Sequence, residues 1–189
     1  MRLGPILTPL AASAALMLSG RTASAQVLGS DGDAAFAGER LMGVYLYDEG
    51  GEVTAFGLGA PVPAWGYTNA RLGIDYFVSR HFSIGGAFAY FSVAPDGRGD
   101  GPDGFLIAPR VGYAIDIGRS FGFWPRGGVT IRDRGGDSEL ALTLEGLFWA
   151  APAPHFAFTF GPAFDIGIAG DGDESRSLGL LTAGVLGWI

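Results

Sequence analysis

The segment from Phe156 to Ile168 alternates strictly between bulky apolar side chains and small or polar ones. Its even positions are mostly phenylalanine and isoleucine, whereas its odd positions are alanine, glycine, threonine and Asp165. A period of two places these sets on opposite faces of a β-strand. The solvent face of a soluble sandwich would carry many charges, but here one face is apolar and the other is small. This combination favours the crowded interior of a narrow β-barrel.

The same alternation recurs along the chain in segments about as long as a tilted strand needs to cross a bilayer, roughly 9–11 residues. The predicted strands are 69–78, 82–93, 105–117, 121–132, 138–150, 155–168 and 177–188. An eighth strand is expected within 40–59, where one long bulged strand or a hairpin fits the sequence. We therefore predict an all-β fold, an antiparallel up-and-down transmembrane β-barrel of eight strands.

The first residues have the features of an export signal. Arg2 precedes a mostly apolar stretch, and a small-x-small pattern ends at Ala25, so cleavage is expected between Ala25 and Gln26. After residue 25 no run of 18 apolar residues occurs, which excludes a transmembrane helix. An exported apolar chain without such a helix can still cross a bilayer as a closed barrel. We divide the chain into a signal peptide over 1–25, a flexible lead over 26–38 and an outer-membrane barrel domain over 39–189.

Charge and cysteine content exclude several classes of partner and site. The chain has 12 arginines, no lysine and 19 acidic residues, for a formal net charge of −7. An acidic chain without a basic patch is not expected to bind nucleic acid. The absence of cysteine excludes disulfides and thiolate metal sites.

These patterns resemble the small outer-membrane β-barrel proteins of Gram-negative bacteria, the OmpA/OmpX-like eight-stranded class that includes uncharacterised myxobacterial members. The resemblance covers residues 40–189. It depends on the strand pattern, on Arg-x-Gly motifs at 71–73 and 110–112, and on the glycine-rich aromatic end at 181–189. It implies a monomer in the outer membrane, in contact with outer-membrane lipid and lipopolysaccharide.

The C-terminal strand differs from the family pattern in one respect. Such strands usually end in phenylalanine, which the barrel-assembly machinery reads, whereas this chain ends in Trp188 and Ile189. The resemblance nevertheless implies that this machinery is a partner of the C-terminal strand.

The alternation directs eight charged side chains into the lumen, and we expect them to form a network: Arg71, Asp75, Arg110, Asp116, Arg126, Arg132, Glu145 and Asp165. An eight-stranded barrel has room only for side chains, and buried charges must be paired. The expected function is therefore a structural or surface-interaction role with a side-chain-filled lumen. A narrow pore is the alternative, because channels use rings of charge to select ions.

Three short turns are expected at 79–81, 118–120 and 151–154, and aromatic residues gather beside them. We interpret them as a periplasmic girdle, a feature of outer-membrane barrels. Its members are Tyr76, Phe82, Phe121, Phe123, Trp149, Phe156 and Trp188.

No catalytic residue, metal ligand or cofactor is predicted. His81 and His155 occupy equivalent positions in two short turns, whereas lipid A-modifying barrels place their sites toward the outer leaflet. The acidic loops around Asp100 and Asp173 could offer oxygen ligands to Ca²⁺ but are expected to be solvated. A soluble lipocalin-like barrel is a further alternative, and it would need bulky residues inside and charges outside.

Overall fold

The structure, a computed structural model, describes residues 28–49, 52–55, 69–92, 103–170 and 176–189; at 46–49, 52–55 and 92 it describes the backbone alone. The predicted signal peptide and its cleavage between Ala25 and Gln26 lie outside the described residues. So do most of the acidic loop residues. Within the described ranges, no helical segment has the length and apolarity that crossing a bilayer would require.

The described chain forms ten β-strands. They are β1 (Ala34–Glu49), β2 (Glu52–Ala55), β3 (Arg71–Ser79), β4 (Phe82–Ser92), β5 (Asp103–Tyr113), β6 (Ile115–Gly118), β7 (Phe121–Arg134), β8 (Asp137–Ala153), β9 (Phe156–Gly170) and β10 (Arg176–Trp188).

These strands close into an eight-stranded antiparallel barrel. The strand pairs are β3–β4, β4–β5, β5–β7, β7–β8, β8–β9 and β9–β10, and β1 pairs with β3 on one side and with β10 on the other. The β1–β10 ladder runs from Ala35 opposite Trp188 to Asp48 opposite Arg176. Strands β5 and β6 are separated only by Ala114, and both pair with β7. They therefore count as one of the eight strands of the barrel. The predicted fold class is therefore confirmed.

The eighth strand combines both forms that the sequence left open. Strand β1 is long and bulged, and its end forms a hairpin with β2, from Glu49 opposite Glu52 to Leu46 opposite Ala55. Strand β1 begins at Ala34, and Leu28 is fully buried. The flexible lead predicted over 26–38 is therefore wrong from residue 28 onward, because residues 34–38 pair with β3 and β10.

The two faces of the barrel differ in the way the alternation predicts. In β3, Leu72 and Ile74 point outward and are 71% and 58% exposed, whereas Arg71 and Asp75 point inward and are buried. Strand β5 repeats this pattern through all 11 of its residues. Most of the large apolar side chains of these strands therefore lie outside the barrel, and the arginines and Asp75 lie inside.

The barrel interior contains two apolar clusters, one toward each end. The end with the turns 80–81, 119–120 and 154–155 is the short-turn end, and the opposite end is the loop end. Toward the short-turn end lies the larger of the two, which we call the apolar cluster. It consists of Leu28, Ala35, Ala37, Phe77, Ala114, Trp124, Trp149, Ala151, Ala157, Leu186 and Trp188. Toward the loop end lies a smaller cluster of mostly alanines. Along the chain, Arg110 lies between Ala108, which belongs to the smaller cluster, and Ala114, which follows β5 and belongs to the apolar cluster.

Two of the predicted girdle residues are inside the barrel. Trp149 and Trp188 are buried in the apolar cluster, so their assignment to the girdle is wrong. Trp149 lies opposite Gly122, where an added Cβ would be 2.5 Å from the indole Nε1. The missing side chain at Gly122 therefore gives this large ring space inside. The other members, Tyr76, Phe82, Phe121, Phe123 and Phe156, face outward beside the short turns, each at least partly exposed.

Closure of the barrel can be tested with an engineered disulfide across the β1–β10 seam. Gly38 lies opposite Val185, and a Cβ on Gly38 would be 3.4 Å from a Val185 methyl carbon. Because the chain has no cysteine, the double variant Gly38→Cys/Val185→Cys should form one intramolecular disulfide under mild oxidation. Gly38→Cys/Ala183→Cys is the control, because Ala183 lies opposite Met42. Failure of the first pair, or equal cross-linking of both pairs in the folded protein, would contradict the closed register.

Candidate functional site

A β-bulge in β1 places two adjacent charges inside the barrel. Consecutive residues of a regular strand face opposite sides, yet Glu39 and Arg40 are both 3% exposed. The register to β10 shifts between Gly38 and Met42, and Arg40 has a φ of 52°. Leu41 and Met42 then both point outward. A bulge of this kind redirects side chains locally.

Glu39 on β1 is hydrogen-bonded by two arginines that come from more distant strands of the barrel. Its carboxylate accepts hydrogen bonds from Arg110 Nη1 and Nη2 at 2.7 and 2.6 Å and from Arg126 Nη1 at 2.7 Å. Arg126 is on β7, the strand farthest from β1 around the barrel. Arg110 also donates from Nε to Asp75 Oδ1 at 3.1 Å and from Nη2 to Asp75 Oδ2.

Arg40 extends to β8 and β9. It donates to Asp165 Oδ2 at 2.6 Å, to Asp165 Oδ1 at 3.2 Å and to Glu145 Oε1 at 3.0 Å. Asp165 also accepts hydrogen bonds from Thr143 Oγ1 at 2.8 Å and Ser177 Oγ at 2.9 Å. Its buried carboxylate is therefore paired with a cation and also receives two hydroxyl donors, the condition under which a buried charge is tolerated.

Glu145 joins the two halves into one network. Its Oε2 lies 2.7 Å from Arg126 Nη2 and 3.8 Å from Arg110 Nη1, while its Oε1 contacts Arg40. Arg71 is buried beside these groups and interacts electrostatically with Asp165 and Glu145. The charged layer therefore consists of Glu39, Arg40, Arg71, Asp75, Arg110, Arg126, Glu145 and Asp165. It has four positive and four negative side chains, so its formal charges balance.

Glycines on the inner face make room for this layer. A Cβ on Gly73 would lie 2.5 Å from Glu39 Oε1 and 2.7 Å from Arg110 Nη2, so any side chain there would displace the ion pair. A Cβ on Gly128 would lie 2.1 Å from the Pro109 carbonyl oxygen. Small inner residues and long charged ones are therefore complementary parts of one packed interior.

The structure brings six of the eight predicted lumen charges into the charged layer: Arg71, Asp75, Arg110, Arg126, Glu145 and Asp165. Arg132 is also buried, but its hydrogen bond goes to Glu139 at 2.8 Å. Asp116 is separate from the layer, and the prediction that it belongs to the lumen network is wrong. It lies beyond the apolar cluster, where its side chain is 26% exposed and faces His81 at 3.9 Å.

The sequence reasoning missed Glu39 and Arg40, which hold the centre of the layer. Both fell at the edge of the predicted lead, and adjacent charges do not fit a period of two. The available signal was a Glu-Arg pair within an otherwise apolar run over 34–47.

The charged layer continues directly into the apolar cluster. The Arg126 guanidinium lies 4.7 Å from the centre of the Trp124 ring, a cation–π arrangement. Trp124 Nε1 donates to Ser83 Oγ at 3.3 Å. A cavity of about 10 Å³ beside the layer is lined by side chains that include Arg71, Arg110 and Glu145. It has space for about one water molecule.

The two histidines are turn residues. His81 and His155 have φ values of 72° and 59°, and the His155 Nδ1 lies 2.9 Å from the carbonyl oxygen of Trp188. Their ring nitrogens show no serine hydroxyl partner among the described contacts. The residues that the structure describes also contain no group of three or more side chains suited to holding a metal ion.

Comparisons with known proteins identify the fold. No protein-family model matches the chain, and no curated protein matches its sequence. The crystal structure of Neisserial surface protein A is similar over 84% of this chain and 98% of its own, with 12% identity and a TM-score of 0.60. Outer membrane protein AlkL in DMPC bilayers gives 13% identity and a TM-score of 0.49 over 90% of this chain and 96% of its own. The attachment invasion locus protein Ail of Yersinia pestis gives 12% and 0.47 over 84% and 99%.

At these identities, the likeness to Neisserial surface protein A shows the fold alone. The structural neighbours are small outer-membrane β-barrel proteins, so the predicted class is confirmed at the level of fold.

Removing Glu39 should destabilise the barrel strongly. The variant Glu39→Ala removes one of the carboxylates that Arg110 and Arg126 share and leaves the layer with an excess positive charge, and loss of one partner of a buried ion pair costs about 3–5 kcal/mol. Urea unfolding of the protein folded in detergent or lipid measures this loss. The matched control is Asp137→Ala, an exposed carboxylate, which should change stability by less than about 0.5 kcal/mol.

The pairing itself is tested by a double-mutant cycle. Glu39→Ala/Arg126→Ala should be less destabilising than the sum of the two single variants, with a coupling of about 0.5–3 kcal/mol. Additive effects, or a Glu39→Ala variant as stable as Asp137→Ala, would show that the layer is not held by these contacts.

Proposed function

We propose that this chain is a non-enzymatic outer-membrane β-barrel protein with a structural or surface-interaction role and a lumen filled by side chains. The observation that carries the proposal is the arrangement of the two faces. Balanced ion pairs occupy the interior between the two apolar clusters, and large apolar side chains are exposed on the outer face of the strands.

The outer surface supports a location in a bilayer. Exposed isoleucine, leucine, valine, phenylalanine and tyrosine side chains recur on every barrel strand, including Ile74, Ile107, Leu144 and Phe158. Soluble monomers rarely expose apolar patches of more than a few hundred Å². Lipid would provide an apolar environment for these side chains. Because the β1–β10 ladder closes the barrel, no strand edge would be left unpaired within the bilayer. A soluble lipocalin-like barrel, which needs the reverse arrangement, is disfavoured.

The packing of the interior favours a closed lumen rather than a pore. Pairing within the charged layer compensates the loss of hydration of each ion, whereas an open aqueous path would need these side chains apart. The enzymatic alternative is disfavoured because the described histidines are held by turn contacts at the short-turn end.

The ends of the barrel define its expected orientation and partners. We place the short-turn end in the periplasm and the loop end outside the cell, with lipid and lipopolysaccharide around the barrel. The C-terminal strand is the expected contact for the assembly machinery. Ile189, which follows this strand, pairs with β1 through hydrogen bonds from Ala34 N to Ile189 O at 2.9 Å and from Ile189 N to Ala34 O at 3.0 Å, while the Trp188 ring is inside.

A pair of arginine substitutions tests the proposal. Ile74→Arg lies mid-strand on the outer face of β3, and Val78→Arg lies on the same face beside a short turn. Charges facing lipid cost about 2–4 kcal/mol at mid-depth and about 0–1 kcal/mol near the interface. Urea unfolding in lipid vesicles should show this difference, and fractionation of a Gram-negative host should recover the wild type in the outer membrane. Equal, small effects together with recovery in the soluble periplasm would contradict the proposal.

A further inference from the structure

The residues before β1 cross the short-turn end of the barrel as a segment that we call the N-terminal strap, residues 28–33. The strap is fixed by backbone hydrogen bonds from His81 N to Gly29 O at 2.8 Å, from Gly32 N to Phe77 O at 2.9 Å and from Phe77 N to Asp33 O at 2.9 Å. It therefore spans from the start of β1 to the turn between β3 and β4.

The strap places Leu28 inside the barrel. This side chain is fully buried in the apolar cluster, together with Phe77, Trp124, Trp149 and Trp188. Gly29 next to it has a φ of 98°, and a Cβ there would lie 3.2 Å from the Phe77 ring and 3.3 Å from Ala114. A glycine is thus suited to this position both by its backbone conformation and by the close packing.

The tryptophans under the strap have unmet hydrogen-bonding capacity. The indole Nε1 atoms of Trp149 and Trp188 are buried and have no hydrogen-bond partner among the described residues. A buried N–H without a partner is destabilising relative to a hydrated one. Hydration of these two groups therefore favours opening of the short-turn end, while burial of Leu28 favours closure.

We infer that the N-terminal strap is a removable cap that seals the short-turn end of the lumen and keeps water from the tryptophans. The cap can leave without breaking the barrel, because the strap precedes β1 and contributes no pairing to the β1–β10 seam. The charged layer is held together by residues outside the strap, so it stays closed when the strap leaves. Opening therefore hydrates the apolar cluster without creating a channel through the barrel.

Single cysteines test the seal, since the natural chain has none. In the folded protein in detergent micelles, Leu28→Cys should react with a negatively charged methanethiosulfonate reagent at least about tenfold more slowly than Asp31→Cys, which lies exposed in the same strap. Because this experiment needs only the folded barrel, its outcome is independent of the cellular location proposed above. Equal labelling rates would overturn the inference.

Prolonged labelling then tests whether the cap is removable. In both variants Trp65, which lies outside the described residues, is replaced by phenylalanine, so that fluorescence reports Trp124, Trp149 and Trp188. The charged adduct on Leu28→Cys should shift tryptophan emission to longer wavelength and increase acrylamide quenching, with the β signal in circular dichroism unchanged. The adduct on Asp31→Cys should change neither. Unchanged quenching of the Leu28→Cys adduct, or loss of its β structure, would show that the strap is not a removable cap.

Discussion

The structure depends on the ion pairs that Glu39 and Arg40 form across the barrel. Charges of this kind are stable inside a protein only when they are paired and hydrogen-bonded. The bulge in β1 allows adjacent residues to reach different walls: Glu39 contacts Arg110 and Arg126, and Arg40 contacts Asp165. One strand therefore connects with the opposite half of the barrel through side chains as well as with its neighbours through the backbone.

Other features of the interior follow from this constraint. Long paired side chains fit inside a narrow barrel only where the inward-facing residues beside them are small, which explains the requirement for glycine at Gly73. Toward the short-turn end, Trp124 contacts the layer through Arg126, so the polar and apolar parts of the interior pack against each other. With the charges in the middle of the interior, most of the other large apolar residues of the barrel strands lie exposed on the outside.

The sequence predicted the strands well, because a period of two is a strong and local signal. It assigned Arg110 and Asp165 to the interior for the same reason. The prediction failed where that period breaks, and where the odd or even position of a residue in its strand was not used to decide which face it lies on. The Glu39-Arg40 bulge interrupts the alternation. Trp149 was assigned from its position near a turn, although its odd position in the strand predicts an inward side chain. Pairing partners such as Glu39 and Arg126 are 87 residues apart and depend on barrel closure, which local patterns do not encode.

The measurement that tests the account most directly is single-channel recording of the purified wild-type protein in planar lipid bilayers. We expect a lumen filled by a balanced charged layer to have no continuous water path, because each ion would lose its partner if the layer opened. We therefore expect insertion without stable ohmic conductance, with insertion verified independently by protease protection. Reproducible, ion-selective channels from the wild-type protein would contradict the filled lumen.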